Sequence, residues 1–402
     1  MPARKHAYVN DEYRRWQQSL VTVDGRPLAL ASKPGVFAHG AVDPSSLLLA
    51  RHVRASAGDV VVHLNCRNGL LGAAIARSGN AHRVVLADRN VLAIEAASRT
   101  LAANDVTSAE LHLGHGAAAL PDIAADVVAI RMPHEKLALL QLLHDAFAML
   151  KVGGHCYLAG ATNEGAKTAA RTIAQIFGGT ATVAVESGHR ILRATKLSET
   201  IADADAHTGP YLDAAAFHEQ TLELRGDLYT FFSRPGVFSW DHLDEATAIL
   251  AEHMDVRPTD RVLDLGCGYG VLGIVAGRIA GEHPVTMVDV DSEAVRSAVR
   301  SAEAAGLRGA RVIGSDAASA VLEESFDLVV TNPPFHVGKA TDLSVPIQFI
   351  ADAFAVLAPG GRLNLVANRT LPYEGAIKFL FGNVATVHDG RRFKVLAAAK
   401  QS

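Results

Sequence analysis

Asn332-Pro333-Pro334-Phe335 follows directly on Phe326-Asp-Leu-Val-Val-Thr331, an apolar run that reads as a buried strand. The two prolines hold the backbone extended, fix φ and remove N–H donors, which leaves the Pro333 carbonyl to accept. Together with the side-chain carbonyl of Asn332 it can take both hydrogens of an amine. An exocyclic amine on a base is a weak nucleophile because its lone pair is delocalised into the ring. Two acceptors that turn its hydrogens localise that pair toward an electrophile, so positioning supplies much of the catalysis. Phe335 then offers a flat apolar face for a base drawn out of its stack, an interaction worth roughly 1–3 kcal/mol per base. His336 reads as a structural or positioning residue rather than a general base, because the alkylated amine becomes acidic and can lose its proton to water.

The electrophile is suggested by a second motif. Asp264-Leu-Gly266-Cys267-Gly268-Tyr-Gly270 ends another short apolar run, at the place where open α/β sheets bind ligands. Gly268, Gly270 and Gly273 form a literal G-x-G-x-x-G, which alone fits a nicotinamide dinucleotide as well as S-adenosylmethionine. Asp289, 23 residues after Gly266, could bond ribose hydroxyls in either site. The Asn-Pro-Pro segment discriminates, because hydride transfer has no use for it. Asp316, after the next strand, is placed to accept the amino group of the adenine ring, although acidic residues there also cap helices. Cys267 has no Pro-Cys context for nucleophilic attack on a pyrimidine and reads as small-residue packing.

These residues need a frame that brings several strand ends together. Runs at 261–265, 284–290, 310–313, 326–331 and 362–367 read as strands, separated by helical stretches at 271–279, 292–305 and 345–357. That alternation predicts a parallel sheet wrapped by helices. Segments 383–388 and 392–399, joined by a turn at Asp389-Gly390, read as an antiparallel hairpin closing the sheet. Further hairpins are predicted over 20–31, turning at Asp24-Gly25, and over 222–232, turning at Gly226-Asp227.

The whole arrangement occurs twice. Ser32-Lys-Pro-Gly-Val-Phe37 returns as Ser233-Arg-Pro-Gly-Val-Phe238, and the shift of 201 residues also matches Cys66 with Cys267, Gly69 with Gly270, Gly72 with Gly273 and Asp88 with Asp289. Solenoid units repeat at about 20–50 residues, so this period marks a duplicated domain. The polar stretch 197–213 reads as the linker, with a boundary near Asp205 and domains at 1–204 and 205–402. In the first copy Asp264 becomes His63, Gly266 becomes Asn65, Gly268 becomes Arg67 and Asp291 becomes Asn90. Asn332-Pro-Pro-Phe335 becomes Arg131-Met-Pro-His134. The first copy is therefore expected to fold without the cofactor or base chemistry, and to bind RNA or support its partner domain. Arg51, Arg54, Arg67 and Arg131 are candidate phosphate contacts, with a solvated surface charge the better reading for any single one.

Composition narrows the classes. Hydrophobic residues at 49% and charged residues at 20% fit a folded α/β protein rather than a disordered one. No apolar run reaches the roughly 20 residues of a membrane span, and the first 18 residues lack a signal-peptide core, so a cytoplasmic protein is expected. Three cysteines, Cys66, Cys156 and Cys267, form no C-x-x-C pair and support neither a disulfide framework nor a cysteine zinc site. A net charge of -4 gives no overall basic footprint, so any contact with nucleic acid must be local.

At these motifs the chain resembles the RsmC/RlmG-type ribosomal-RNA guanine-N2 methyltransferases over nearly its whole length, in the duplicated domain, the Pro-Gly-Val-Phe-Ser lead-in and the Asn-Pro-Pro-Phe-His segment. The resemblance implies two tandem Rossmann-like class I methyltransferase domains, mostly parallel with a C-terminal antiparallel hairpin. It also implies S-adenosylmethionine as cofactor, S-adenosylhomocysteine as product, and ribosomal RNA or a ribosomal subunit as partner. No metal and no membrane are expected, and the oligomeric state is left open with a monomer as the expectation. Phe238 and Ser239 are then expected to cover the cofactor. Asp264, Gly266, Cys267, Gly268, Gly270, Asp289, Val290, Asp316 and Asn332 are expected to bind it, and Asn332, Pro333, Pro334 and Phe335 to hold guanine. The segment 243–247 departs from the family pattern in lacking a glycine before Thr247. Adenine N6 and protein glutamine remain alternative amines for the same chemistry. An RNA-binding assembly factor without catalysis is the alternative from another class.

Overall fold

Val262–Leu265 is buried at every residue, as a parallel strand covered on both faces must be. Strand alternation sends Val262 and Asp264 to one face and Leu263 and Leu265 to the other, and each face meets its own hydrophobic cluster. The computed structural model describes residues 11–120, 122–334 and 343–401. In its second half the strands lie in the order Arg311–Gly314, Thr286–Asp289, Val262–Leu265, Phe326–Thr331, Leu357–Asn368, Phe393–Ala399, Ala385–Asp389. The first five are parallel, Phe393–Ala399 runs antiparallel to them, and Ala385–Asp389 pairs antiparallel with it at the edge. The first half repeats the order with Ala109–Leu113, Arg83–Asp88, Val60–Leu64, Ala125–Arg131, Leu150–Ala161, His189–Thr195 and Ala181–Glu186. The tandem Rossmann-like fold expected from the alternation and the repeat is therefore present. In each sheet the strand order reverses beside the first parallel strand, which is where ligands of such sheets bind.

Each copy is preceded by a two-stranded hairpin, Gln17–Val23 with Arg26–Ser32 and His218–Leu224 with Asp227–Ser233. Both turns have positive φ at their two central residues, Asp24 (47°) with Gly25 (76°) and Arg225 (54°) with Gly226 (82°). That is the type I′ geometry matching strand twist. The second turn is therefore Arg225-Gly226 and not the expected Gly226-Asp227. Register puts the glycine at the second central position, as in the first copy.

The chain divides between Ala216 and Phe217, not near Asp205, and the described residues 11–15 belong with the second unit. Much of the stretch expected to be a linker is packed onto the first unit. Ala202 N and Asp203 N donate to the carbonyls of Ile176 (3.1 Å) and Gln175 (2.8 Å), and His207 Nε2 lies 3.0 Å from Gln175 Oε1. Polar composition alone does not distinguish a free tether from a segment whose backbone is hydrogen-bonded. Among the described residues no helix is long and apolar enough to cross a membrane.

Candidate active site

The glycine loop of the second unit is pinned at its start, where Gly266 N and Cys267 N donate to the Val288 carbonyl at 2.9 and 3.0 Å. Thr331 Oγ1 donates to the Leu265 carbonyl at 2.6 Å, tying the Asn332 strand end to the loop. Gly266, Gly268 and Gly270 all have positive φ, at 77°, 55° and 95°. A Cβ on Gly266 would lie 2.9 Å from the Phe349 ring, whereas one on Gly268 would meet nothing within 4 Å. Gly268 thus borders open space, and Gly266 is required by the close approach of Phe349 from behind.

Two carboxylates flank this loop. Asp289 accepts from Gly268 N (2.8 Å) on Oδ2 and from Asp291 N (3.0 Å) on Oδ1, so its plane is set by backbone. Asp264 is fully buried; its Oδ2 accepts from Gly273 N at 2.7 Å, while Oδ1 has no hydrogen-bond partner among the described residues. Burial, aided by the nearby charge of Asp289, pushes the Asp264 carboxyl up to about 7. An unpaired buried carboxylate oxygen, fixed ribose-type acceptors and a glycine facing open space fit the ammonium, the hydroxyls and the body of S-adenosylmethionine.

Asn332 is oriented by two residues of the 243–247 segment that departs from the family pattern. Its Nδ2 donates to Asp244 Oδ2 at 3.0 Å and to Thr247 Oγ1 at 2.9 Å. Asp244 is the N-cap of the helix Glu245–His253, and its Oδ2 also accepts from Thr247 N at 2.8 Å. With both amide hydrogens committed, the side-chain carbonyl is the group Asn332 can present, and a carbonyl can only accept. Pro333 is buried and Pro334 exposed. Phe335, expected as the base platform, and His336 lie outside the described residues.

Phe238 is 59% exposed and Ser239 adopts a positive φ of 48°, so the lead-in presents an uncovered aromatic ring. Val290 is half-buried beside Asp289. Cys267 is buried and its thiol is pushed up by burial, consistent with packing. Asp316 Oδ1 accepts from the Tyr13 hydroxyl at 2.7 Å, and the neighbouring Ser315 Oγ accepts from Ala320 N at 3.1 Å. The Ser315 hydroxyl thus braces the turn after the third strand. Tyr13 was not found from the sequence, since nothing in its surroundings points to a partner 303 residues away.

The first unit carries the same backbone around a filled space. Asn65 (φ 54°) and Arg67 (φ 56°) keep the left-handed conformations of Gly266 and Gly268, and Arg67 N donates to Asp88 as Gly268 N does to Asp289. Arg131, 1% exposed, bonds Asp43 Oδ2 at 2.7 Å and Glu164 at 2.9 Å. Burial opposes its charge, but the bonds to Asp43 and Glu164 outweigh that and raise its pKa. The guanidinium carbons of Arg67 and Arg131 lie 4.2 and 5.3 Å from the centroid of Phe37, the counterpart of Phe238. Arg131 is therefore neither a solvated surface charge nor accessible to phosphate. His63, at the position of Asp264, is buried with neither ring nitrogen partnered among the described residues, and burial lowers its pKa to about 3.

Fold and site together define an S-adenosylmethionine-dependent methyltransferase with one intact and one filled copy of its domain. The family described as Methyltransferase small domain matches residues 27–193 and 228–397. Ribosomal RNA small subunit methyltransferase C of Hahella chejuensis is 34% identical over 283 residues, covering 70% of this chain and 80% of that protein. Ribosomal RNA large subunit methyltransferase G of Streptomyces avermitilis is 31% identical over 364 residues, covering 89% and 93%. The T. thermophilus 16S ribosomal-RNA guanine-N2 methyltransferase RsmC, solved with S-adenosylmethionine and guanosine, superposes with a TM-score of 0.82 at 30% identity, covering 97% of this chain and 99% of that one. The chain belongs to the RsmC/RlmG-type ribosomal-RNA guanine-N2 methyltransferase family.

Proposed function

We propose that the second unit transfers a methyl group from S-adenosylmethionine to the exocyclic N2 amine of a guanosine in ribosomal RNA. The observation that carries this reading is the amide of Asn332, whose two hydrogens are held by Asp244 and Thr247. Its carbonyl oxygen and the Pro333 carbonyl accept the two amine hydrogens and turn the nitrogen lone pair toward the donor. S-adenosylmethionine, when bound, supplies a methyl group on a positively charged sulfur. Asp264 faces its ammonium, Asp289 its ribose hydroxyls and Asp316 its adenine amine, while Gly266, Cys267, Gly268, Gly270 and Val290 form the adjoining wall. Phe238 and Ser239 cover the cofactor, and Pro334 and Phe335 complete the seat for the base. No general base is required, because the alkylated amine is acidic enough to lose its proton to water. The first unit supports the second or contacts RNA through its surface.

The test is transfer of labelled methyl to ribosomal RNA lacking the modification, with digestion of the product to nucleosides. N2-methylguanosine made by the wild type and not by Asn332→Ala is the expected result. Label in N6-methyladenosine or in protein would redirect the same amine chemistry to another substrate. Tight cofactor binding with no transfer to any of these would overturn the reading.

A further inference from the structure

We infer that residues 11–15, which precede the first copy in sequence, form part of the cofactor site of the second unit, with Tyr13 as a positioning residue for the Asp316 carboxylate. The inference rests on the reading of Asp316 as the acceptor for the adenine amine. Tyr13 is 3% exposed, its hydroxyl donates to Asp316 Oδ1 at 2.7 Å, and its ring packs in the cluster that holds Ala317, Ala318 and Phe349. Phe349 is the ring that backs Gly266, so one packed group supports both the glycine loop and the Asp316 loop. Beside it, Arg14 bonds the buried Asp352 at 2.5 Å, and Asp352 Oδ2 accepts from Ala318 N at 3.1 Å.

The first copy separates what the fold requires from what this segment adds. There Asp145 Oδ2 accepts from Ala117 N at 3.0 Å, so a helix carboxylate ties down the loop in both copies. Strand register places His115 at the position of Asp316. The tyrosine hydroxyl accompanies the copy that retains the carboxylate. A carboxylate accepts on two oxygens, and a buried hydroxyl fixed to Oδ1 sets the direction in which the other oxygen points. Burial and the charge of Asp316 raise the Tyr13 pKa, so it remains a donor at neutral pH.

The experiment compares binding of S-adenosylhomocysteine with that of S-inosylhomocysteine, which replaces the adenine amine by a carbonyl. Full-length wild type, Tyr13→Phe and Asp316→Asn are titrated calorimetrically, and ligand-free melting is recorded for each. Tyr13→Phe is expected to weaken the adenine ligand about five- to tenfold, the net worth of one ordinary hydrogen bond. It should leave the hypoxanthine ligand unchanged. Equal losses for both ligands, or no loss for either, while Asp316→Asn erases the adenine preference, would overturn the role of Tyr13 alone. No adenine preference in the wild type, or one that survives in Asp316→Asn, would overturn the reading of Asp316 and the inference with it.

Discussion

Arg131 and Asn332 end the same strand in the two copies, and both bond the aspartate that caps the following lead-in helix, Asp43 in one and Asp244 in the other. The amide ends at that bond and leaves its carbonyl to accept. The guanidinium extends further, takes Glu164 as well and lies with Arg67 against Phe37. Two substitutions, Gly268 to Arg67 and Asn332 to Arg131, replace a cradle with a closed salt-bridged core while the sheet, the loop conformation and the cap persist. The same fold can thus carry either an open loop or a filled one at this place. The left-handed φ values of Asn65 and Arg67 show that the loop takes the same shape in the first copy without glycines at these positions.

The sharpest test of this contrast changes the two equivalent positions. Asn332→Ala is expected to lower kcat about 10²–10³-fold, by analogy with removing one preorganised polar group from an active site, with little change in melting. Arg131→Ala should leave Asp43 and Glu164 without their shared cation and cost about 3–5 kcal/mol of stability, read in denaturant unfolding, with cofactor affinity unchanged. If the two variants exchange phenotypes, the assignment of an active and a filled copy fails. A finer cut is Thr247→Val, which removes one of two acceptors orienting the Asn332 amide. Loss of one hydrogen bond is worth about 1 kcal/mol, so kcat should fall about fivefold with KM little altered.

The counterparts Asp264 and His63 should respond to pH in opposite ways. Asp264 is raised from 3.8 to about 7, so between those values the folded protein holds a proton the unfolded chain has released, and ligand-free stability falls as pH rises through that window. Cofactor affinity should rise through about pH 7, as the carboxylate ionises to face the ammonium. Asp264→Asn should flatten both trends in melting and calorimetric titrations. His63 is lowered from 6.5 to about 3, so its contribution is present above 6.5 and is lost as pH falls toward 3. His63→Gln should blunt acid sensitivity alone. The stoichiometry of S-adenosylmethionine should be one per chain, and a second equivalent bound by the wild type would break the comparison outright.

Much of this was written locally in the chain. The glycine spacing from Gly266 to Gly273 and the strand run into Asn332 are short-range patterns, because backbone conformation and strand alternation depend on near neighbours, and the 201-residue period is visible when the chain is compared with itself. They were enough for the duplicated sheet, the intact second copy and the carboxylates at the strand ends. The domain boundary was less legible, since segment 197–213 is polar yet hydrogen-bonded to the first unit. The orientation of the Asn332 amide, the burial of Arg131 and the attachment of Tyr13 to Asp316 join residues 88, 88 and 303 positions apart. No local propensity encodes such pairs. Sequence determined which groups were available for the chemistry; only the tertiary structure decided which of them were aimed, filled in or covered, because burial and partner choice arise when distant segments close on one another.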